Sequence, residues 1–409
     1  MTHLQMERFT HQSTIPVVQL QLLFLSQFGR QRTVGFSRSG IGMLPFHPPI
    51  ILSPCALEVA ASCCEMGPKQ NSIVTYFDAR QLDHEPTLEL HNGGWADYAE
   101  KASRAEIILA EYETWQPALD HGLDAILRVH CPDYVKFLQV AHRDWSAAGR
   151  EGDAIGYTWP VVGRRKLDLS RIDARLGRYS YDAATPITAK TWVSAYWSAQ
   201  SALSALGAII DEGAKCAFAL CRPPGHHAGR DYLGGYCYLN SAAIAAAEAD
   251  YRGRRVAVLD IDYHHGNGTQ DIFYDSADVL FASVHADPAM DYPFYWGHAD
   301  ERGESAGLGK TVNLPLPRGT RIETYLGALE TACAEVEAHG TDLLILSYGA
   351  DTFEHDPISH FKLRETDYAV IGARVAALKI PTAVIMEGGY AIDALGRNVS
   401  SLLSGFSDP

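Results

Sequence analysis

A chain of 409 residues, 47% of them hydrophobic, has enough apolar material for one large α/β domain or two smaller ones. Its formal charge of −15 argues against a nucleic-acid partner and suits cationic small molecules or basic peptides. Eight cysteines without a CxxC pair exclude a small disulfide-rich scaffold and fit a reducing, cytoplasmic setting; with no run of about 18 apolar residues and no secretory signal pattern, no membrane partner is expected.

Residues 1 to about 70 read as an N-terminal extension, poorly ordered or preceding the true start. Their apolar stretches QLQLLFLSQF and ILSPCALEVAASCC lack caps or partners. Arg30, Arg32 and Arg38 beside hydroxyl residues have a faint transit-peptide character, which Glu7 opposes. Met66 offers an alternative start, because NSIVTYFD soon after it reads as the first strand.

Further along, EKASRAEIILAEYETW and SAQSALSALGAIIDEG carry apolar residues at three- and four-residue intervals, the pattern of surface helices. Five runs, CAFALC, RRVAVLDID, DVLFASVH, DLLILSYGAD and PTAVIMEGGY, are short and almost continuously apolar. Strands of that kind are buried on both faces, so an α/β fold with a mostly parallel sheet and helices on both sides is predicted. Each run ends in polar or glycine-rich residues: CRPPGHH, DIDYHHGNG, SVHAD, SYGAD and MEGGY. Ligands of open parallel sheets bind beyond the carboxyl ends of the strands, so these five tips should meet in one cleft.

The tips carry chemistry. Asp260 and Asp262 point to one side of an extended chain, and His264 continues that side. Buried carboxylates in such a row call for a cation. Asp262 and His264 supply two ligands and Asp351 is the best third; Asp351 taken alone reads equally well as a helix N-cap. An Asp/His/Asp set leaves an open position for water and a substrate carbonyl. Neutral imidazoles suit proton transfer near pH 7, so His226 and His227 on a PPG turn can divide the base and acid roles, with Asp260 and Asn267 as available tautomer-fixing partners. Tyr390, after a glycine pair, is placed to donate to an oxyanion, although a tyrosine so placed is more often a packed aromatic.

The motifs RPPGHHA, GGYCYLN, LDIDYHHGNGTQDIFY, GADTFEHDP and MEGGY resemble those of the zinc-dependent histone deacetylase superfamily, in that family's order, over roughly residues 70 to 405. FASVHADPAMDYPFYWGHADERG, DTFEHDPIS and an insertion near 145–190 are most similar to its bacterial acetylpolyamine amidohydrolase branch. The resemblance implies the arginase/deacetylase fold, with a sheet of about eight strands, for a catalytic domain over 71–409. It implies zinc (Zn2+, with iron, Fe2+, as the other occupant such a set accepts) on Asp262, His264 and Asp351. His227 would be general base and acid, His226 its electrostatic partner, and Tyr390 the oxyanion donor. A structural potassium ion (K+) would sit on backbone oxygens of Asp260, Asp262 and His264, on the Asp260 carboxylate and on the Ser283 hydroxyl. Tyr236, following Gly235, would line one wall of an acyl-amine channel, with Tyr292 or Phe294 on the other.

Two positions depart from the pattern: Asn267 stands where some members carry aspartate, and Ala184 stands where an acidic residue would bind the distal ammonium of a polyamine. Asp182 replaces that acid only if the loop path differs, and Glu354 and Asp356 keep negative charge nearby. The implied activity is a metal-dependent amidohydrolase acting on a small-molecule acetylated amine, first acetylated polyamines or diamines and second acetyl-lysine in proteins, in a homodimer formed through the 145–190 insertion. A two-manganese hydrolase of the same fold would want an aspartate where Gly266 stands. A non-catalytic acyl-amine binding module would have lost a ligand, the histidine pair or the tyrosine, and none is lost.

Overall fold

Ten strands run through the computed structural model, which describes residues 73–161 and 167–407. They are β1 (Val74–Phe77), β2 (Leu88–His91), β3 (Gly94–Asp97), β4 (Gln116–Pro117), β5 (Cys216–Ala219), β6 (Val256–Asp260), β7 (Val279–Ala286), β8 (Thr311–Leu316), β9 (Leu343–Tyr348) and β10 (Thr382–Met386). The predicted extension over 1–70 lies outside the described residues, as do 162–166 of the insertion.

Eight strands form one sheet in the order β4-β1-β5-β10-β9-β6-β7-β8, with every pair parallel. β2 and β3 make a separate antiparallel hairpin. The five apolar runs are the five central strands. Their side chains alternate between two cores: Ala217, Val258, Ile345 and Ile385 face one, and Phe218, Leu259, Leu346 and Val384 face the other. Two-sided burial is why these runs lack a polar period, and each buried Val, Leu, Ile or Phe among them contributes about 1.5–3 kcal/mol by leaving water.

Ten α-helices accompany the sheet among the described residues: α1 (Ser103–Leu109), α2 (Asp124–Val129), α3 (Pro132–Ala147), α4 (Ile172–Tyr179), α5 (Thr191–Ile210), α6 (Ser241–Tyr251), α7 (Asn267–Phe273), α8 (Ile322–Ala338), α9 (Glu365–Ala376) and α10 (Ile392–Ser404). Residues of α2 to α7 join the first core, and those of α1 and α8 to α10 join the second. The prediction of a surface helix holds poorly for α5, in which 15 of 20 residues are buried. Its serines look polar in sequence, but Ser201 and Ser204 bond carbonyls one turn back and Ser198 bonds Pro223 O, so small, satisfied side chains allow close packing. No helix among the described residues is long and apolar enough to cross a membrane.

Connectivity places the cleft. From β5 the chain skips two positions to β6, continues outward through β7 and β8, then returns with β9 and β10 to fill the gap. The carboxyl ends of β5, β10, β9 and β6 therefore stand side by side where the winding reverses.

Candidate active site

The histidine pair rests on a turn held from two sides. Beneath it, Glu387 at the end of β10 accepts from Gly225 N (2.6 Å) and His226 N (3.1 Å) and is itself held by Ser347 Oγ (2.9 Å). A Cβ on Gly225 would lie 2.6 Å from Ser241 N, so only glycine fits. Asn240 caps α6 by accepting from Ala243 N (2.9 Å) and donates to Ala228 O (3.0 Å), tying the turn to that helix.

His226 Nδ1 lies 3.0 Å from Asp260 Oδ2, and His227 Nδ1 lies 2.7 Å from Asn267 Oδ1. The two rings are 4.0 Å apart between centroids. Burial opposes charge on His226, but Asp262 and Asp260 outweigh it and hold its pKa at about 10. Burial, then the charges of His226 and His264, push His227 well below the ordinary value. The carboxylates around the first imidazole thus favour its protonated form, and burial beside charged neighbours favours the neutral form of the second.

Asp262, His264 and Asp351 converge, with one donor atom from each all within 4.8 Å of one another. His264 Nδ1 is 2.9 Å from Asp351 Oδ2 and 3.3 Å from Asp262 Oδ1. Backbone amides orient both carboxylates: Gly388 N donates to Asp262 Oδ2 (2.8 Å) and Tyr263 N to Asp351 Oδ1 (2.9 Å). A Cβ on Gly388 would lie 2.6 Å from oxygens of both aspartates, and one on Gly349 would overlap Asp262. Gly349 of SYGAD and Gly388 of MEGGY are thus required by the carboxylates beneath them. Two buried carboxylates and an imidazole on a common centre fit a divalent cation.

Asp260 turns away from that centre, toward His226 and toward the amide of Asp262 (3.1 Å); a Cβ on Gly266 would overlap its carboxylate. Ser283 is aligned with Asp260 across β6 and β7, and its Oγ lies 2.8 Å from His285 Nδ1.

Tyr390 follows Gly389, whose φ of +124° favours glycine. Two residues outside the motifs, Arg104 and Glu100, and two within them, Arg222 and Asp356, hold this turn. Arg104, fully buried, donates to Gly389 O (2.6 Å) and Glu387 O (2.6 Å), pairs with Glu100 (2.7 Å), and sets its guanidinium 4.8 Å from the Tyr390 ring centroid. Arg222 lies 3.0 Å from the same Glu100. Asp356 accepts from Tyr390 N (2.7 Å), Ala391 N (3.2 Å) and Ile358 N (3.1 Å). The carboxylate expected to lend charge to the cleft is therefore a brace for the tyrosine, and Glu354 does not line the cavity.

A cavity of about 490 Å³ rises from His227, His264 and Tyr390 between the rings of Tyr236 and Tyr292. Tyr236 packs edge-on to Tyr390 (5.7 Å) and Tyr292 edge-on to His227 (5.1 Å). Of the two candidates for the second wall, Tyr292 is half-buried against the His227 ring, whereas Phe294 is 50% exposed at the rim. Gly235 has a φ of +54°, and a Cβ there would overlap the His227 ring; its place is set by that close approach.

Asp182 does line the cavity, but it is not a free carboxylate for an ammonium. Its oxygens accept from Gly235 N (2.7 Å), Tyr292 Oη (2.8 Å), Thr185 Oγ1 (2.8 Å) and Ala184 N (3.2 Å), which binds three segments together. A different carboxylate, passed over in LELHNGG, stands behind the opposite wall. Glu89 accepts from Tyr236 Oη (3.1 Å), and its Oε2 is buried without a hydrogen-bond partner. Burial, against the pull of the Tyr236 hydrogen bond, raises its pKa to about 7.

A family model described as histone deacetylase domain matches residues 91–406. The chain is 46% identical over 340 residues to acetylpolyamine amidohydrolase 2 of Pseudomonas aeruginosa, covering 82% of this chain and 98% of that protein. It is 43% identical to acetylpolyamine amidohydrolase of Mycoplana ramosa, covering 81% of this chain and 98% of that one. The crystal structure of acetylpolyamine aminohydrolase from Burkholderia pseudomallei superposes with a TM-score of 0.79 at 39% identity, covering 82% of this chain and 99% of that structure.

Proposed function

The chain belongs to the histone deacetylase family, and from that premise we propose that it is a metal-dependent amidohydrolase removing acetyl, or another short acyl group, from acetylated diamines and polyamines. One observation carries the reading: Asp262, His264 and Asp351 lie at the floor of an aromatic-walled cavity beside a neutral His227 and Tyr390.

These three side chains would hold zinc, or iron in its place. When bound, the cation polarises the amide carbonyl and makes water a nucleophile near pH 7. His227 takes one proton of the attacking water and returns it to the departing amine nitrogen, so acetic acid and a free amine leave, and their later ionisation to acetate and ammonium closes the proton balance. His226, held cationic by Asp262 and Asp260, favours the negative charge that develops beside it. Burial keeps the phenol of Tyr390 protonated, with a pKa well above the ordinary value, and it donates to the oxyanion. The rings of Tyr236 and Tyr292 hold the alkyl chain and exclude bulk water.

Preference for a cationic chain is supported by Glu89 behind one wall, joined to it through the Tyr236 hydroxyl and keeping one oxygen without a hydrogen-bond partner. A structural potassium ion on Asp260, Asp262, His264 and Ser283 belongs to the same reading. So does a homodimer through the insertion, where Tyr157, Val161 and Leu167 are exposed apolar residues. A cytoplasmic location is supported by Cys216, Cys221, Cys237 and Cys333 remaining thiols. The test is steady-state hydrolysis of N-acetylputrescine beside an acetyl-lysine peptide by the zinc-loaded protein. A kcat/KM at least about tenfold higher for acetylputrescine, or about 1.4 kcal/mol, sustains the reading; preference for the peptide transfers the activity to protein lysine deacetylation.

A further inference from the structure

The hydrogen-bond chain behind His227 does not end at Asn267. Asn267 and Asp271 are four residues apart on α7, so they share one face of the helix. Tyr232, in the loop after the histidine pair, reaches both: its hydroxyl lies 2.6 Å from Asp271 Oδ2 and 3.4 Å from Asn267 Nδ2. Asp271 also takes a hydrogen bond from the Trp296 side chain. On the other side of the amide, the Tyr181 hydroxyl lies 3.3 Å from Asn267 Oδ1. Tyr181 in turn meets the Tyr292 hydroxyl, which also bonds Asp182 (2.8 Å).

A tyrosine hydroxyl has one proton. Given to the Asp271 carboxylate at 2.6 Å, it leaves the oxygen of Tyr232 able only to accept from Asn267. The amide must then present its NH2 to Tyr232 and its carbonyl to His227, and a carbonyl at 2.7 Å from Nδ1 requires the imidazole hydrogen on that nitrogen. Asparagine alone has no such preference, because its two ends are nearly the same size and either can face a histidine. Where an aspartate would present an oxygen to His227 whichever way it turned, an asparagine needs outside help to do so.

We propose that Asp271, acting through Tyr232, is a positioning residue that fixes the orientation of the Asn267 amide and so keeps His227 in the tautomer whose Nε2 is unprotonated. The inference rests on His227 being the base of the proposed reaction, but its structural content is independent of any substrate. Reversal of the amide would put the hydrogen on Nε2 and remove the lone pair that accepts the proton from water.

The experiment uses the zinc-loaded full chain and its Tyr232→Phe and Asp271→Asn variants. Two-bond nitrogen–hydrogen correlation spectra of histidine-labelled protein, assigned with His227→Gln, read the tautomer directly without substrate. The parent should show His227 protonated on Nδ1, and both variants a loss or mixture of that signature. With N-acetylputrescine each variant should lose kcat by on the order of tenfold, less than the 10²–10⁴-fold of losing a general base, with KM within about twofold. The double variant should lose no more than either single one, because the two residues act in series. A parent His227 protonated on Nε2, or variants that keep both the tautomer and kcat, would overturn the proposal, as would losses that add in the double variant. Should one substitution prevent folding, the other and the parent spectrum still decide. A parent with the expected tautomer and no turnover of acetylated amines would sink the functional reading and leave the positioning role standing.

Discussion

The floor and the walls of the cavity are built on different terms. At the floor, the reactive side chains leave the ends of central strands; the buried carboxylates Asp262 and Asp351 are oriented by backbone amides and by a glycine that a Cβ would spoil, Gly388, and the histidine pair by Asp260 and Asn267. Along the walls, the side chains come from the β2–β3 hairpin, the 181–185 segment, the loop carrying Tyr236 and the 287–297 loop, and their polar partners are uneven: Asp182 has four donors, while one oxygen of Glu89 has none. A floor of this kind leaves little room for variation in the metal set, whereas walls of this kind can change which substrate is accepted. Of the two departures, Ala184 falls on the walls, and Asn267 stands behind His227 at the floor, where it still presents an oxygen to Nδ1.

That contrast can be broken at graded cost. The largest effect belongs to the metal set: Asp262→Asn, or removal of the cation by a chelator, should abolish turnover, and zinc should restore it only in the chelated parent, followed by metal analysis alongside rates. Tyr390→Phe keeps the ring packed on Tyr236 and removes only the hydroxyl, so kcat should fall about 10²–10³-fold with KM little changed. Gly388→Ala tests the claim that glycine serves the carboxylates. It should lower zinc affinity about 10–100-fold, as loss of a group orienting metal ligands does, read by competition with a chromophoric chelator.

The smaller effects belong to the walls. Glu89→Gln should raise KM for N-acetylputrescine several-fold and leave a neutral N-alkylacetamide of equal length unaffected, with kcat unchanged for both. Its pH dependence has a definite sign. Burial raises the folded pKa of Glu89 to about 7, so the native state holds a proton there that the unfolded chain, with a carboxyl near 4.5, has released. Its contribution to stability is present below pH 4.5 and declines as pH rises to about 7. The glutamine variant should therefore melt higher than the parent at pH 8 and show a smaller advantage at pH 5. Smallest on KM is Asp182→Asn, because that carboxylate is already occupied by four donors; its cost appears in Tm.

Much of the floor was legible in the sequence because its information is local. A run such as RRVAVLDID states at once that the strand is buried on both faces and that its polar end carries carboxylates, and the order of five such runs is enough to predict one parallel sheet with one cleft. The central strands and the donors Asp262, His264 and Asp351 lie together as that reasoning expects. Glycines around them were visible as a pattern, but their reason was not: Gly235 yields to the His227 ring and Gly266 to the Asp260 carboxylate.

What only the tertiary structure decided is which groups far apart in the chain become partners. Arg104 meets Gly389 across 285 residues, Glu89 meets Tyr236 across 147, and no periodicity reports contacts of that kind. Burial also reverses the reading of single residues: Ser198, Ser201 and Ser204 of α5 vanish into a core because their hydroxyls bond carbonyls of their own helix or of the loop after β5, Asp182 turns from a candidate substrate contact into a brace, and Asp356, read as charge near the cleft, braces the Tyr390 turn. The sequence by itself determined the sheet and the kinds of atom at the strand ends, since both follow from local polarity and spacing. Folding decided the charge states of His226 and His227 and the shape of the walls, because those depend on which buried dipoles and charges are brought within a few ångströms.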